Sequence, residues 1–278
     1  LYGKSKKEGR ELFENWALEN NACFTGLIIP NVFGPFCKPY YNSFIATFCH
    51  QLTHDEQAVI NVDENVKLIY VGELIQEIFE IIVATNSKEK ANGFSDTVEL
   101  PHTSQKRVSE VLSMVESYKS NYFEKGIIPN LSNEFEKNLF NTFLCYIDHK
   151  EFFPFHLKLN TDNRGSFVET VKSNSGGQIS FSTTVSGITR GNHFHTRKTE
   201  RFAVIKGKAR IQLRKIGTDE VLNFELDGEN PSFVDIPIWY THNIKNIGEE
   251  DLYTIFWINE HYNPEDGDTF FEEVENKK

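Results

Sequence analysis

The sequence predicts an α/β domain followed by an all-β barrel. In the first half of the chain, apolar strand patterns alternate with helical patterns, which is typical of a doubly wound α/β sheet. From Phe152 onward the chain carries short strand patterns and turn signals, which favour a jelly-roll barrel. The polar stretch at residues 148–151 separates the two regions. We therefore expect one domain over residues 1–148 and a second over residues 149–278.

The composition is that of a folded protein, and it disfavours two classes of partner. The chain has 278 residues, of which 39% are hydrophobic, enough for two packed domains. A net charge of −11 disfavours a nucleic acid or an anionic membrane as a partner. No apolar run approaches the roughly 18 residues that a membrane span requires. The four cysteines have no Cys-x-x-Cys spacing and no signal peptide is visible, so we expect reduced thiols in the cytoplasm.

The α/β part is predicted to begin with an amphipathic helix. Charged residues lie on one face of this helix. The apolar residues recur at helical spacing on the opposite face, and they are Leu12, Phe13, Trp16 and Ala17. The later elements are a strand over residues 23–30, a helix over 41–52, a strand over 66–70, a helix over 72–85, a helix from Ser104 and a helix over 135–147. This alternation predicts a sheet with helices packed on it.

Tyr2 and Lys6 form a pair with catalytic potential in the first helix. They are four residues apart, so their side chains lie on one face. A lysine ammonium beside a phenol favours the phenolate, which makes the tyrosine a better proton donor and acceptor near neutral pH. A solvated helix start explains the same pair without any catalytic role, and the pair alone does not decide between these interpretations.

Two histidines and a glutamate converge in the first hairpin of the predicted barrel. His193 and His195 are two residues apart in a strand and point to the same face of the sheet. A short turn brings Glu200 to the start of the next strand, and His242 can enter a strand that faces the first two histidines. Imidazoles together with a carboxylate are ligands for a borderline divalent metal. The alternative is that these side chains merely fill a polar barrel interior.

These segments resemble the cupin family in two blocks. The run from Gly191 to Gly207 matches the cupin pattern of Gly, His-x-His, Glu and Gly. The run from Pro237 to Asn246 matches the second cupin pattern, except that Trp239 stands where cupins usually have Gly. The resemblance implies a metal ion held by His193, His195, Glu200 and His242.

Within the cupins, the barrel is similar to the epimerases of 4-keto nucleotide sugars. Residues 162–169 match Asp-x-Arg-Gly-x-Phe-x-Glu, and the run from Arg190 to His193 matches Arg-Gly-x-His. The resemblance implies that His193 is the proton-abstracting base. His195 stands where that branch has Gln, which favours metal binding. Arg164 and Arg190 suit a substrate diphosphate, although surface salt bridges explain both arginines equally well.

His193 is thus predicted for two roles that exclude each other. A histidine that is bound to a metal ion cannot freely act as a base. One resolution is that His195, Glu200 and His242 hold the ion while His193 stays at its edge. The sequence does not decide between these arrangements.

The amino-terminal part resembles the carboxyl-terminal portion of the extended short-chain dehydrogenases/reductases that act on nucleotide sugars. The resemblance rests on the Tyr-x-x-x-Lys pair, the strand after it and the loop that begins at Asn31. It implies that Tyr2 is the acid/base, that Tyr2 and Lys6 contact an NADPH cofactor, and that Asn31 faces the substrate. The Gly-rich dinucleotide turn of this family should precede the tyrosine, yet nothing precedes Leu1. We therefore expect an incomplete Rossmann-type domain that lacks its amino-terminal part and binds NADPH poorly.

Over nearly the whole chain, this order of parts is similar to the CapF family of bifunctional capsular-polysaccharide enzymes. The resemblance implies that the cupin epimerises C3 of a UDP-4-keto-6-deoxy-N-acetyl-hexosamine. The reductase domain would then reduce the C4 ketone with NADPH, toward UDP-N-acetyl-L-fucosamine. It also implies zinc in the cupin and a homodimer. Two other functions stay open, namely a metal-dependent cupin oxygenase that holds Fe(II) and a non-catalytic sugar-binding or dimerisation cupin attached to a reductase.

Overall fold

The structure is a computed structural model, and it describes residues 2–85, 94–163 and 165–275. The helices lie in the first part of the chain, whereas strands dominate from Phe155 onward. The described helices are α1 (Tyr2–Glu19), α2 (Phe44–Thr53), α3 (Val71–Thr85), α4 (Val108–Tyr118), α5 (Glu134–Leu144) and α6 (His149–Phe152). A π-helical turn at Lys119–Phe123 directly follows α4. None of the described helices combines the length and the apolar character that a bilayer crossing requires.

The described residues of the amino-terminal half, 2–85 and 94–152, form a mixed α/β structure with two small sheets. Its strands are β1 (Cys23–Ile28), β2 (Asn31–Phe33), β3 (Asn65–Tyr70), β4 (Phe94–Glu99), β5 (Ser104–Arg107) and β6 (Ile127–Ile128). β1 pairs with β4 in parallel, while β3 lies between β2 and β5 in a separate sheet. In the described residues, the predicted doubly wound sheet therefore does not appear as a single sheet.

The prediction of a helix from Ser104 was wrong. Ser104 begins β5, which pairs antiparallel with β3, and α4 begins only at Val108. The backbone N–H of Arg107 donates to the carboxylate of Glu110 at 2.8 Å, which helps to cap the start of α4. Because the helix follows the strand without a turn residue between them, its apolar pattern hides the short strand before it.

Three helices bury their apolar faces in the core of the amino-terminal half. α4 contributes Val111 and Val115, and α2 and α5 contribute the residues that pack against them. The rings of Tyr118 and Phe140 pack edge to face, with centroids 5.3 Å apart. Burial of a large apolar side chain contributes about 1.5–3 kcal/mol, so this core stabilises the amino-terminal half. Trp257, which comes from the far end of the chain, also lies in this core.

The barrel, residues 153–275, is built mainly from two antiparallel five-stranded sheets. Its strands are β7 (Phe155–His156), β8 (Asn160–Asp162), β9 (Gly165–Phe167), β10 (Lys172–Ser173), β11 (Gln178–Thr184), β12 (Thr189–Phe194), β13 (Glu200–Lys206), β14 (Lys208–Lys215), β15 (Val221–Asp227), β16 (Ser232–Ile236), β17 (Tyr240–Asn246), β18 (Leu252–Ile258) and β19 (Phe270–Phe271). One sheet has the order β11-β18-β13-β16-β7 and the other has the order β15-β14-β17-β12-β19. β8 pairs with β9, and β10 pairs with β6 of the amino-terminal half.

The two large sheets share one hydrophobic core. Ala203 and Val234 enter it from the first sheet, and Ile211 and Ile244 enter it from the second. Two antiparallel sheets around one core is the arrangement expected of a jelly roll. Strands β12, β13 and β17 carry the residues of the candidate site.

Candidate metal centre

The connection from β12 to β13, together with β17, brings four potential metal ligands to one point. The predicted hairpin was wrong, because β12 pairs with β17 and β19 whereas β13 pairs with β16 and β18 in the other large sheet. His193 lies near the end of β12, His195 lies just beyond it, and Glu200 begins β13. His242 of β17 is the cross-strand partner of His193. One possible ligand atom from each residue lies within 4.8 Å of those of the other three. The structure thus places together the four residues that the sequence analysis proposed as ligands.

Gly191 allows β12 and β17 to approach closely beside this cluster. Its φ is +106°, and a Cβ there would lie only 2.7 Å from the carbonyl oxygen of His242. The register of the two strands then shifts between Gly191 and His193, through Asn192 with a φ of +61°. A bulge of this kind re-aims the side chain that follows it. The ring of His193 consequently lies 4.5 Å, between centroids, from the ring of His242.

Three buried polar atoms of the cluster fit a metal ion better than a hydrogen-bond network. Nε2 of His242 lies 3.0 Å, and Nε2 of His195 lies 3.4 Å, from Oε2 of Glu200. Despite these distances, no described residue gives any of the three atoms a hydrogen bond of acceptable geometry. Buried polar groups nearly always have a hydrogen-bond partner. Atoms whose lone pairs converge on one point instead provide the environment that a divalent ion requires.

The identity and spacing of the ligands also suit such an ion. Imidazole nitrogens with one carboxylate are suited to zinc and other borderline metals. These ligands bind zinc at about 2.0–2.2 Å. Atoms within 4.8 Å of one another therefore need only small side-chain movements to meet around one ion. His195, Glu200 and His242 are buried, whereas His193 is partly exposed and is the most accessible member of the cluster.

Asp268 holds the turn that carries two of these residues. Its carbonyl oxygen accepts a hydrogen bond from Nδ1 of His195, which leaves Nε2 directed toward Glu200. Its carboxylate accepts hydrogen bonds from the backbone N–H groups of residues 196–198 at 3.0–3.2 Å. Outer contacts of this kind fix the ring orientation of a metal-binding histidine. Asp268 could not be predicted from the sequence, because no local pattern links it to a histidine 73 residues earlier.

The surroundings of His193 and His195 shift the pKa values of the two histidines in opposite directions. Burial, followed by the nearby imidazoles of His242 and His195, lowers the pKa of His193 to about 4. Burial also acts to lower the pKa of His195, but Glu200 and then Asp268 outweigh it, and the pKa is raised. Burial acts to raise the pKa of Glu200, but its contacts with His195 and His242 bring that pKa well below its usual range. At neutral pH, Glu200 is therefore a carboxylate and His193 is a neutral imidazole.

Trp239, which stands where cupins usually have Gly, adopts a left-handed backbone conformation. Its φ is +63°, in the left-handed region that favours glycine. Its backbone N–H donates to the carbonyl oxygen of His195 at 2.8 Å, and its ring stacks on Phe194 with centroids 5.6 Å apart. These contacts offset a strain on the order of 1 kcal/mol for a non-glycine residue. The departure from the pattern thus leaves the turn beside the cluster intact.

Two arginines of the barrel were also predicted to bind the substrate. Arg190 is exposed on β12, and its Nη1 donates to the carbonyl oxygen of Thr183 at 3.3 Å. It lies three residues before His193 on the same strand. Arg164 lies outside the described residues.

The other proposed site residues belong to the amino-terminal half. Tyr2 begins α1 and Lys6 lies one turn further on, as the helical pattern predicted, but the side chain of Tyr2 lies outside the described part of the structure. Asn31 begins β2 and lines a surface groove together with Tyr40 and Phe44. The catalytic and binding roles of these residues rest on the resemblance.

Comparison with known proteins relates nearly the whole chain to sugar-modifying enzymes. It is 31% identical over 271 residues to the UDP-2-acetamido-2,6-beta-L-arabino-hexul-4-ose reductase of Pseudomonas aeruginosa, with 97% of this chain and 70% of that protein covered. It is 36% identical to the capsular polysaccharide assembling protein CapF of Staphylococcus aureus, whose crystal structure superposes with a TM-score of 0.54. That superposition covers 98% of this chain and 72% of the other.

The carboxyl-terminal part of the chain has matches of its own. Residues 160–270 match the family described as the polysaccharide biosynthesis C-terminal domain. The spore coat polysaccharide biosynthesis protein SpsL of Bacillus subtilis is 29% identical over 122 residues, with 40% of this chain and 81% of that protein covered. Together with the similarity along the full chain, these matches show that the protein belongs to the CapF-like family of capsular polysaccharide proteins.

Proposed function

We propose that the barrel epimerises C3 of a UDP-linked 4-keto-6-deoxy-N-acetyl-hexosamine. The observation that supports this most strongly is the cluster in which a neutral, partly exposed His193 lies beside three buried potential ligands. The similarity to a reductase of a UDP-linked acetamido sugar supports this substrate class. A barrel around the cluster would also limit the access of water to a reactive intermediate.

The proposed reaction begins with the removal of a proton next to a ketone. The C4 ketone acidifies the C3 proton, and a base with an available lone pair takes it. Burial lowers the pKa of His193 to about 4, so the ring is neutral near pH 7 and has a lone pair available to accept the proton. Return of a solvent-derived proton to the opposite face of C3 then completes the inversion.

We assign the metal to His195, Glu200 and His242, and we propose zinc as the ion. When bound, a divalent ion supplies Lewis acidity toward a substrate oxygen. The role of the chain is to present the three ligands, with Asp268 holding the ring of His195. We leave His193 out of the ligand set, because a coordinated imidazole has no lone pair with which to accept a proton.

We propose that the amino-terminal half belongs to an NADPH-dependent reductase that acts on the C4 ketone. The Pseudomonas relative is a reductase, and Tyr2 and Lys6 lie one turn apart in α1. Tyr2 would donate a proton to the ketone oxygen as hydride reaches C4, and Lys6 would favour the phenolate and contact the cofactor. The two steps lead toward UDP-N-acetyl-L-fucosamine. In a protein with a complete reductase domain, Tyr2→Phe should abolish reduction and leave C3 epimerisation intact.

The remaining assignments concern the substrate and the setting of the protein. Arg164 and Arg190 would bind the diphosphate, because a guanidinium pairs with phosphate at two points, and Asn31 would contact the sugar in the reductase site. Arg190 is exposed and lies three residues before His193 on β12, which supports its proposed contact with the diphosphate. All four cysteines are free, which suits the cytoplasm that we propose as the location. The resemblance further supports a homodimer.

Exchange with heavy water tests the epimerase. The zinc-loaded chain is incubated with the keto sugar in heavy water without nicotinamide, and deuterium should appear at C3. Substrate binding is measured in the same samples, and oxygen consumption is measured in parallel samples loaded with Fe(II). Binding without exchange would replace the epimerase with a sugar-binding role, whereas oxygen uptake with Fe(II) in the site would replace it with an oxygenase.

A further inference from the structure

Glu200 begins β13, and the residues on both sides of it contact the amino-terminal half. Successive side chains of a strand point to opposite faces of the sheet. Glu200 lies in register with Ile236, whose side chain belongs to the barrel core, so Glu200 faces inward. Arg201 is the next residue and faces outward, toward the amino-terminal half. Any contact that fixes Arg201 therefore also fixes the direction of Glu200.

Arg201 is held by hydrogen bonds that connect the barrel to the amino-terminal half. Its side chain is 1% exposed. Nε and Nη2 donate to the two carboxylate oxygens of Asp235 at 2.7 and 2.8 Å. Nη1 donates to the carbonyl oxygen of Gly126 at 2.7 Å, and the hydroxyl of Tyr122 donates to Asp235 at 2.6 Å. Gly126 and Tyr122 belong to the amino-terminal half, so this network spans both parts of the chain.

The cross-strand neighbour of Arg201 strengthens the same junction. Trp257 of β18 lies opposite Arg201, and its side chain packs in the core of the amino-terminal half with 2% of its surface exposed. On the other side, Asp235 of β16 is the register partner of Arg201. Asp235, Arg201 and Trp257 therefore form a buried row across three neighbouring strands, and this row faces the amino-terminal half. Glu200 directly precedes Arg201 on β13.

Asn141 holds the residue on the other side of Glu200. The hydroxyl of Thr199 donates to Oδ1 of Asn141 at 2.9 Å, and Nδ2 of Asn141 donates to the carbonyl oxygen of Arg197 at 3.2 Å. Asn141 lies on α5 and is 2% exposed. Its amide thus binds the turn between β12 and β13 from the amino-terminal half.

We infer that the amino-terminal half positions the carboxylate of Glu200 for the metal ion, through Asn141 on one side and the chain of Tyr122, Asp235 and Arg201 on the other. This inference rests on the proposed metal site. Asn141 and Tyr122 are positioning residues, because neither touches the ion's ligand atoms. Loss of either contact allows β13 to shift against β12 and β17, which moves Glu200 relative to the two buried imidazoles. The affinity of the barrel for zinc therefore depends on residues outside the barrel.

Two single-residue variants of the full chain test this inference. Tyr122→Phe removes one hydroxyl, and Asn141→Ala removes the amide that binds the turn. The matched controls are Tyr118→Phe, whose hydroxyl donates at 3.4 Å to the carbonyl oxygen of Glu136 within the same half, and Thr142→Val, which loses a bond inside α5. Zinc affinity is measured by competition with a chromophoric chelator. Unfolding temperatures are measured with and without zinc.

The two positioning variants should bind zinc about tenfold more weakly, the lower end of the effect of losing an outer-shell partner. The rise in unfolding temperature caused by zinc should shrink with the affinity. Each control substitution should lower the unfolding temperature by the same amount with and without zinc. It should leave the zinc affinity unchanged. Equal zinc affinity in Tyr122→Phe, Asn141→Ala and wild type would overturn the inference.

A measurement on the wild-type chain avoids any effect of the substitutions on folding. Coupling between two sites is reciprocal, so zinc should also slow hydrogen exchange of the amides in α5 and in the π-helical turn at Lys119–Phe123. Unchanged exchange in these segments on zinc binding would contradict the coupling. If the wild-type chain binds no zinc at all, the proposed metal site itself is wrong. If zinc binds normally but exchange in these segments does not change, the metal site stands and only the coupling is wrong.

Discussion

The carbonyl oxygen of Asp268 accepts a hydrogen bond from Nδ1 of His195, although the two residues are 73 positions apart. The same segment also contacts β12, since the backbone N–H of Glu272 donates to the carbonyl oxygen of Asn192 at 3.0 Å. β19 of this segment also pairs with β12 next to His193. The segment from Asp268 to Glu272 therefore holds β12 and the residue that follows it, His195, in place.

Replacing Asp268 should weaken metal binding. Asp268→Ala leaves the backbone N–H groups of residues 196–198 without their acceptor. The N–H of Lys198 is buried, and an unsatisfied buried group costs about 1–3 kcal/mol. The turn should relax, and the ring of His195 should lose its fixed orientation. We expect zinc affinity, measured by chelator competition, to fall by about 10- to 100-fold.

Asp266→Asn is the matched control for this prediction. Asp266 lies on the same segment, but its carboxylate forms an exposed ion pair with Arg197 at 2.8 Å. Exposed pairs contribute about 0–1 kcal/mol, so zinc affinity should not change. A similar loss of affinity in both variants would show that the effect arises from the charge of the segment rather than from the turn.

The metal ligands themselves can be tested by metal content. Glu200→Ala and His242→Ala should each reduce the content from one divalent ion per chain to nearly none. The stabilisation by zinc, about 4 kcal/mol at a thousand times the dissociation constant, should be lost with it. Glu225→Ala, which removes an exposed barrel carboxylate paired with Arg210, should retain the ion. Stoichiometric metal in both ligand variants would mean that the ligands lie elsewhere.

Gly191→Ala should destabilise the barrel more than Gly187→Ala does. Both glycines have positive φ values, +106° and +78°, so both substitutions strain the backbone. Only at position 191 would the new Cβ meet backbone, 2.7 Å from the carbonyl oxygen of His242, whereas nothing lies within 4 Å at position 187. Forcing β12 away from β17 should cost about 1–3 kcal/mol more and reduce metal content. Urea unfolding of the two variants measures the difference, and equal losses would contradict the close approach.

His149 should make the protein less stable in mild acid. Burial lowers its pKa from 6.5 to about 4, and its Nε2 donates to the carbonyl oxygen of Leu144 at 2.8 Å. Between these two pKa values the unfolded chain binds a proton at His149 and the folded chain does not. The free energy of unfolding should therefore fall as the pH drops through this window, by up to about 3 kcal/mol from this residue. His149→Gln keeps a donor without a titrating ring, so urea unfolding against pH should show a shallower slope, and an identical slope would exclude His149 as the cause.

The sequence predicted best what local patterns encode. The amphipathic patterns located α1, α3 and α5 to within a few residues, and the strand start at Glu200 was predicted correctly. The predicted pairing of that strand with β12 was wrong, because the two strands lie in different sheets. The pairing of β1 with β4 was missed, because a parallel pair of distant strands leaves no local signal. Asp268, Arg201 and Asn141 were missed for the same reason, since each acts on β13 or on the connection before it through a contact that forms only in the folded chain.

His193→Asn provides the most direct test of the account, because it separates the base from the metal ligands. Asparagine keeps a similar polar shape but has no titratable nitrogen, and the ion should stay on His195, Glu200 and His242. We predict one zinc ion per chain, together with deuterium exchange at C3 that falls by about two orders of magnitude or more, the usual contribution of a general base. Full exchange at C3 in the His193→Asn variant would contradict this account.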